Sequence, residues 1–157
     1  MKLVYILLLI SLITIFFFVY KSGLFDLSSS KYKQATVSIR GERFQVEVAD
    51  TFASRELGLG GREGLEEDKG MLFLFNSLDT RTFWMKNVSF PIDIIWIAGD
   101  EVVGFAESTT PHTNQFVGQI ARYRSPEPVD KVLEVAAGTV KRARIIVGDG
   151  VAVKFED

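Results

Sequence analysis

The chain has 157 residues, with 18 basic and 20 acidic side chains, one His and no Cys. That length accommodates one domain plus an additional segment, and the lack of Cys excludes structural disulfides, thiolate metal sites and a thioether lipid anchor. Four Lys and one Asp fall in residues 1–33, so residues 34–157 carry 14 basic and 19 acidic groups, a net of −5. With no basic stripe, such a domain is ill-suited to nucleic acid, whose affinity rests on phosphate contacts, or to lying flat on anionic lipid.

Leu3 to Tyr20 is an apolar run interrupted only by Ser11 and Thr14 and flanked by Lys2 and Lys21. About 18 to 20 such residues cross a bilayer as a helix. We read residues 1–20 as a membrane anchor. A cleaved signal is the rival reading; against it stand the length of the run and the absence of an Ala-x-Ala pattern after Phe16-Phe17-Phe18-Val19-Tyr20. Lys2 favours an N-terminus inside and a single-pass protein with its domain on the extracytoplasmic side, an asymmetry weakened by Lys21, Lys31 and Lys33. Residues 21–33, with Ser22, Gly23 and Ser28-Ser29-Ser30, read as a flexible linker, and residues 34–157 as a β-rich domain.

Period-two alternation begins at Thr36-Val37-Ser38-Ile39-Arg40 and resumes at Phe44-Gln45-Val46-Glu47-Val48, which predicts a hairpin around Gly41-Glu42. Asp50 or Thr51 caps a short helix, Phe52 to Leu57, which stops at Gly58, Gly60 and Gly61. Residues 65–70 form a polar loop. Met71 to Phe75 is a buried strand, Thr82 to Lys86 another, and Pro91 separates it from a strand at Ile92 to Ala98. Gly99-Asp100 turns into Glu101 to Ala106. Residues 108–128 are a polar, Pro-containing excursion with a short strand at residues 115–117. Val132 to Val135 is a strand, Gly138 to Arg142 a turn or one helical turn, and Arg144 to Val147 with Val151 to Phe155 a closing hairpin. Short strands, frequent Gly turns and one small helix indicate a mainly β fold, a compact β-sandwich or partly closed barrel.

The unusual chemistry lies in Thr82-Phe83-Trp84-Met85-Lys86-Asn87 and Asp93, where charge is embedded in apolar strand. A buried charge must be paired. Lys86 is the expected partner of Asp93 across the Pro91 bend, with Asn87 capping the turn. The pair is either structural or part of a polar pocket floored by Trp84 and Met85. Glu134, alternating with Leu133 and Val135, faces water or else joins Asp93 as a carboxylate pair capable of acid–base work or cation binding. His112 has no second ligand nearby, which argues against a protein-only zinc site, and there is no nucleophile elbow, P-loop or dinucleotide fingerprint. No metal or cofactor is expected.

Six stretches in order carry a family resemblance: Arg55-Glu56-Leu57-Gly58-Leu59 with Arg62, Gly70 to Phe75, Phe83-Trp84-Met85-Lys86-Asn87, Pro91 to Ile94, Val132 to Val135 with Gly138, and Val147-Gly148-Asp149. Together they resemble the domain-of-unknown-function 192 family. Gly60 stands where that family usually has Met, and Val88 where it often has Thr. The resemblance implies a compact β-rich domain with a small helix, often behind a signal or anchor, and no established reaction. By motif position it makes Arg55, Trp84, Lys86, Asn87, Asp93 and Glu134 candidates for one ligand-binding site.

The sequence therefore points to a membrane-anchored extracytoplasmic binding module for an unknown small ligand or envelope protein, with no recognisable catalytic constellation. One alternative is a hydrolase of an envelope polymer using Asp93 and Glu134, which glycosidase chemistry would require about 5 to 10 Å apart. Another is a scaffold of a membrane complex, with Phe116 and Val117 as contacts.

Overall fold

A computed structural model describes Tyr5, Thr14, residues 32–111 and residues 119–156. The chain divides into two units, Met1–Lys31 and Tyr32–Asp157. Of the apolar run expected to be an anchor, only Tyr5 and Thr14 are described, each with helical backbone. The rest of that run and most of the linker lie outside the described residues, as do His112 and the strand expected at residues 115–117. Among the described residues no helix is long and apolar enough to cross a membrane.

The second unit is built on a seven-stranded sheet. The alternating runs form β1 (Lys33–Ile39) and β2 (Glu42–Ala49), an antiparallel hairpin in which Val37 faces Phe44. Thr51 then caps α1 (Phe52–Leu57) in a reciprocal box: the Ser54 N–H donates to the Thr51 hydroxyl and the Thr51 N–H to the Ser54 hydroxyl. The chain returns as β3 (Lys69–Asp79), parallel to β2, so this crossover carries α1. A short β4 (Thr82–Trp84) leads to β5 (Ile92–Ala98) and β6 (Glu101–Ala106). After the excursion come β7 (Arg122–Arg124), β8 (Val129–Ala136), α2 (Thr139–Ala143), which is little more than one helical turn, and β9 (Val151–Phe155).

The strand order is β6-β5-β8-β3-β2-β1-β9, and β4 pairs with β7 in a separate ribbon. The edges of the large sheet meet at one end. Glu101 bridges Gly150, the Val102 N–H donates to the Asp149 carbonyl at 2.9 Å, and the Val151 N–H donates to the Asp100 carbonyl at 2.9 Å. The domain is thus mainly β, a curled half-barrel with a short helix. Of the two architectures expected, the partly closed barrel is the one formed: strand twist curls one sheet until its edges touch, and no second large sheet faces it.

Curling gives the central strands two buried faces. Ile95, Ile97, Leu133, Val135 and Leu72 join Val37, Ile39 and Phe44 in the inner core, plugged by Val140 and Ile145 from the α2 region. Ile92, Ile94, Trp96, Met71, Phe73 and Val132 form an outer core with Leu59, Met85, Val88 and Ile120, which cover it from outside the large sheet. Each Ile or Leu buried this way contributes about 1.5–3 kcal/mol.

Three expected elements differ. The strand at 82–86 ends at Trp84, because residues 85–88 turn, with the Val88 N–H donating to the Met85 carbonyl. Residues 122–124 form a strand that the Pro-rich composition hides. The closing hairpin does not form: β9 pairs with β1, and residues 144–147 turn beneath the inner core, where Ile145 is buried.

Candidate functional site

The Pro91 bend does not bring Lys86 to Asp93. Asp93 is fully buried and points to the inner face, opposite Val135 on β8. Its carboxylate accepts the Ser108 N–H at 2.8 Å, the Gly138 N–H at 3.1 Å and the Val140 N–H at 2.8 Å. Gly138, at φ +83°, begins α2 without a side chain to cap it, and Asp93 supplies that cap from β5. The residue is a latch holding α2 and the segment after β6 onto the half-barrel. It lines neither the chamber nor the groove described below, so it does not join the other candidate residues there.

Glu134 faces the other way. It is paired across the sheet with Ile94 on β5 and Met71 on β3, both outer-core residues. Successive strand residues alternate faces, so Asp93 and Glu134 project from opposite sides of the sheet. The carboxylate pair required by the hydrolase reading does not form. Nor is Glu134 exposed to water: only 5% of its surface is accessible, no group among the described residues hydrogen-bonds its carboxyl, and burial pushes its pKa up to about 8 against a smaller opposing pull from Arg62.

The carboxyl opens on a chamber of about 30 Å³ lined by Arg55, Glu56, Leu59, Phe73, Phe83, Trp84 and Lys86 among others. Four of the six expected site residues, Arg55, Trp84, Lys86 and Glu134, therefore converge. Asn87 shapes the rim: it takes a left-handed φ of 59°, and its carbonyl accepts the Gly61 N–H at 2.9 Å. A Cβ on Gly60 would lie 2.9 Å from the Leu57 carbonyl oxygen and 3.4 Å from the Asn87 Cβ, so a larger residue here needs the adjoining backbone to shift. Arg62 ties the same loop to β2 through a two-pronged ion pair with Glu47, at 3.0 and 2.6 Å.

The chamber adjoins a groove of about 540 Å³ between α1, the end of β3 and β4, and Arg55, Glu56, Phe73, Phe83 and Trp84 line both. Cations lie over its rings. The Arg55 guanidinium is 5.1 Å and that of Arg81 4.1 Å from the centre of Phe75, while Lys86 Nζ is 4.9 Å and the Arg122 guanidinium 5.5 Å from Trp84. Arg55 forms no ion pair among the described residues; its Nη1 donates to the carbonyls of Asp50 and Leu74, which fixes the group without neutralising it. Lys86 is only loosely paired with Glu56, at 3.6 Å, and both are substantially exposed. The rings are braced from beneath by edge-to-face contacts of Phe83 with Phe73 at 4.8 Å and with Trp96 at 5.5 Å. Among the described residues no three carboxylate or imidazole groups gather to hold a metal ion.

Phe52, Glu56, Phe75, Arg81, Phe83 and Arg122 were not among the candidates read from the sequence. Phe52 is 80% exposed at the first position of α1, and a large apolar residue there is a sequence-visible oddity. Arg81 and Arg122 carry no such mark, because only the pairing of β4 with β7 sets Arg122 opposite Trp84.

A family model described as an uncharacterized ACR, DUF192, matches residues 35–153. Two solved structures share the fold. One, from Sinorhizobium meliloti 1021 and described as a "putative transcription regulator", is 33% identical with a TM-score of 0.71, over 80% of this chain and 98% of that one. The other, a protein of unknown function from Novosphingobium aromaticivorans DSM 12444, is 32% identical with a TM-score of 0.69, over 81% of this chain and 89% of that one. No curated protein matches. On a family match running from β1 into β9, the chain belongs to the uncharacterised DUF192 family.

Proposed function

We propose that the domain is a binding module for an organic anion with a flat apolar body, presented outside the cytoplasm by the N-terminal apolar run acting as an anchor. The observation that carries this reading is the pair of guanidinium groups, Arg55 and Arg81, over Phe75 in the groove, with Lys86 over Trp84 at the adjoining chamber, in a domain whose net charge is −5. A locally basic, aromatic concavity on an acidic surface attracts an anion while the surrounding field repels other approaches. A volume of about 540 Å³ matches a small molecule. The description of one relative as a transcription regulator does not favour a nucleic-acid role here, because outside this groove the domain is acidic.

Naphthalenesulfonate is a suitable probe. Titration calorimetry should detect it and should not detect naphthalenemethanol, which has the ring without the charge. Arg55→Ala and Lys86→Ala should each weaken sulfonate binding about five- to tenfold, the equivalent of about 1 kcal/mol per cation. Equal affinity for the neutral and charged probes would overturn the reading. Protease accessibility of the domain in intact and permeabilised cells tests the topology.

A further inference from the structure

Resting on that reading, we propose that the chamber above Glu134 is the head-group end of the site and takes the carboxylate of the ligand, with the Glu134 carboxyl as hydrogen-bond donor to it. Three observations converge. The carboxyl is 5% accessible beside Met71, Ile94 and Phe73, and among the described residues no group donates a hydrogen bond to it. The space it faces, about 30 Å³, holds roughly two water-sized atoms, which is the size of the two oxygens of a carboxylate. The chamber adjoins the groove, so a ligand lying along Trp84 and Phe83 can direct one end into it.

The charged groups around Glu134 favour an anion there. Lys86 follows β4 and Arg55 projects from α1, both lining the chamber, and Arg62 in the loop after α1 acts on Glu134 electrostatically. The opposing charges are Glu56 on α1, which sits beside Lys86, and Glu47 on β2, which pairs with Arg62. From β3 and β5 the neighbours are apolar. Because burial holds Glu134 protonated through neutral pH, it can donate an O–H to a ligand carboxylate, giving a short charge-assisted bond. Two carboxyl groups sharing one proton hold it more tightly than either alone, so binding raises the affinity of Glu134 for its proton. An ammonium head would instead require Glu134 ionised and would meet Lys86 and Arg55.

The test uses the full chain and naphthoate, with naphthalenesulfonate and naphthylmethylamine as comparison probes. The dissociation constant for naphthoate should stay flat from about pH 6 to pH 7.5 and then rise toward tenfold per pH unit as binding begins to require proton uptake. Naphthalenesulfonate should show no such rise. Glu134→Gln keeps a neutral donor, so it should retain naphthoate binding near pH 6.5 and remove the rise at higher pH. Glu134→Leu should lose the preference for naphthoate over the sulfonate. Carbon-detected titration of the Glu134 carboxyl in the unmodified protein, with and without saturating naphthoate, should show its midpoint moved up by the ligand, and this holds whether or not the variants fold. Naphthoate binding that is flat across the whole range, an unmoved Glu134 midpoint, or tighter binding of the amine overturns the carboxylate subsite and leaves the anion groove standing. Failure of both anionic probes to bind overturns the groove and this inference with it.

Discussion

Two carboxylates on neighbouring strands, Asp93 on β5 and Glu134 on β8, meet opposite fates on the two faces of one sheet. On the inner face Asp93 receives three backbone N–H groups. Full satisfaction makes a buried anion tolerable and turns it into a structural clamp. On the outer face Glu134 is nearly as enclosed, accepts no hydrogen bond among the described residues, and burial pushes its pKa up to about 8. Burial alone therefore does not fix what a buried acid does for the fold. What distinguishes the two is whether the protein itself completes the hydrogen bonding.

The contrast can be broken most forcefully at Asp93. Asp93→Ala leaves three buried N–H donors unpaired and uncaps α2, and should cost about 3–5 kcal/mol in denaturant unfolding. A loss below about 1 kcal/mol would mean that the clamp is dispensable and the two acids are not as different as their surroundings imply.

Next in size is the pH dependence contributed by Glu134. Its folded pKa, about 8, lies above the ordinary 4.5. A raised acid favours the folded state fully below the unfolded value, and that contribution falls as pH rises from about 4.5 to about 8, by up to about 1.4 kcal/mol per unit. Glu134→Gln should flatten this decline, so that the variant gains on the unmodified protein as pH rises toward 9 and gains nothing near pH 4.5. Parallel stability profiles for the two proteins would show that Glu134 ionises normally.

A smaller effect sharpens the comparison from the side of the site wall. Thr51→Ala removes the cap of α1, the element that carries Arg55 and Glu56, and should cost about 1 kcal/mol. Smallest in stability is Lys86→Ala. Its ion pair with Glu56 is exposed, so the melting temperature should stay within about a degree while anion binding drops. A large fall in melting temperature would return Lys86 to a structural role like that of Asp93.

Much of the fold was legible because the cues are local. The alternation at Thr36–Arg40 and Phe44–Val48, the Thr51 cap and the apolar run at Ile92–Ala98 each specify an element from a few adjacent residues, and each forms where the pattern places it. The strand at residues 122–124 was hidden because its reason to exist is β4, some forty residues away. The site was half legible. Arg55, Trp84, Lys86 and Glu134 were named from motif positions and do converge. Motif position names Asp93 for the same site, and the Pro91 bend offers Lys86 as its partner, whereas the turn at Met85–Val88 and the alternation of β5 send the two to different surroundings.

What the sequence by itself determined is most of the elements and the family, since these follow from periodicity, caps, turns and motif spacing within short windows. What only the tertiary structure decided is the side of the sheet on which each charge lies and the company it keeps. Glu134 alternates with Leu133 and Val135 whichever face is turned to solvent. Only when one sheet curls, fills its inner face with Val140 and Ile145 and has its outer face covered by Leu59, Met85 and Val88 do both faces become dry. The physical reason is that alternation fixes relative orientation along a strand, while burial depends on which distant segments pack against it.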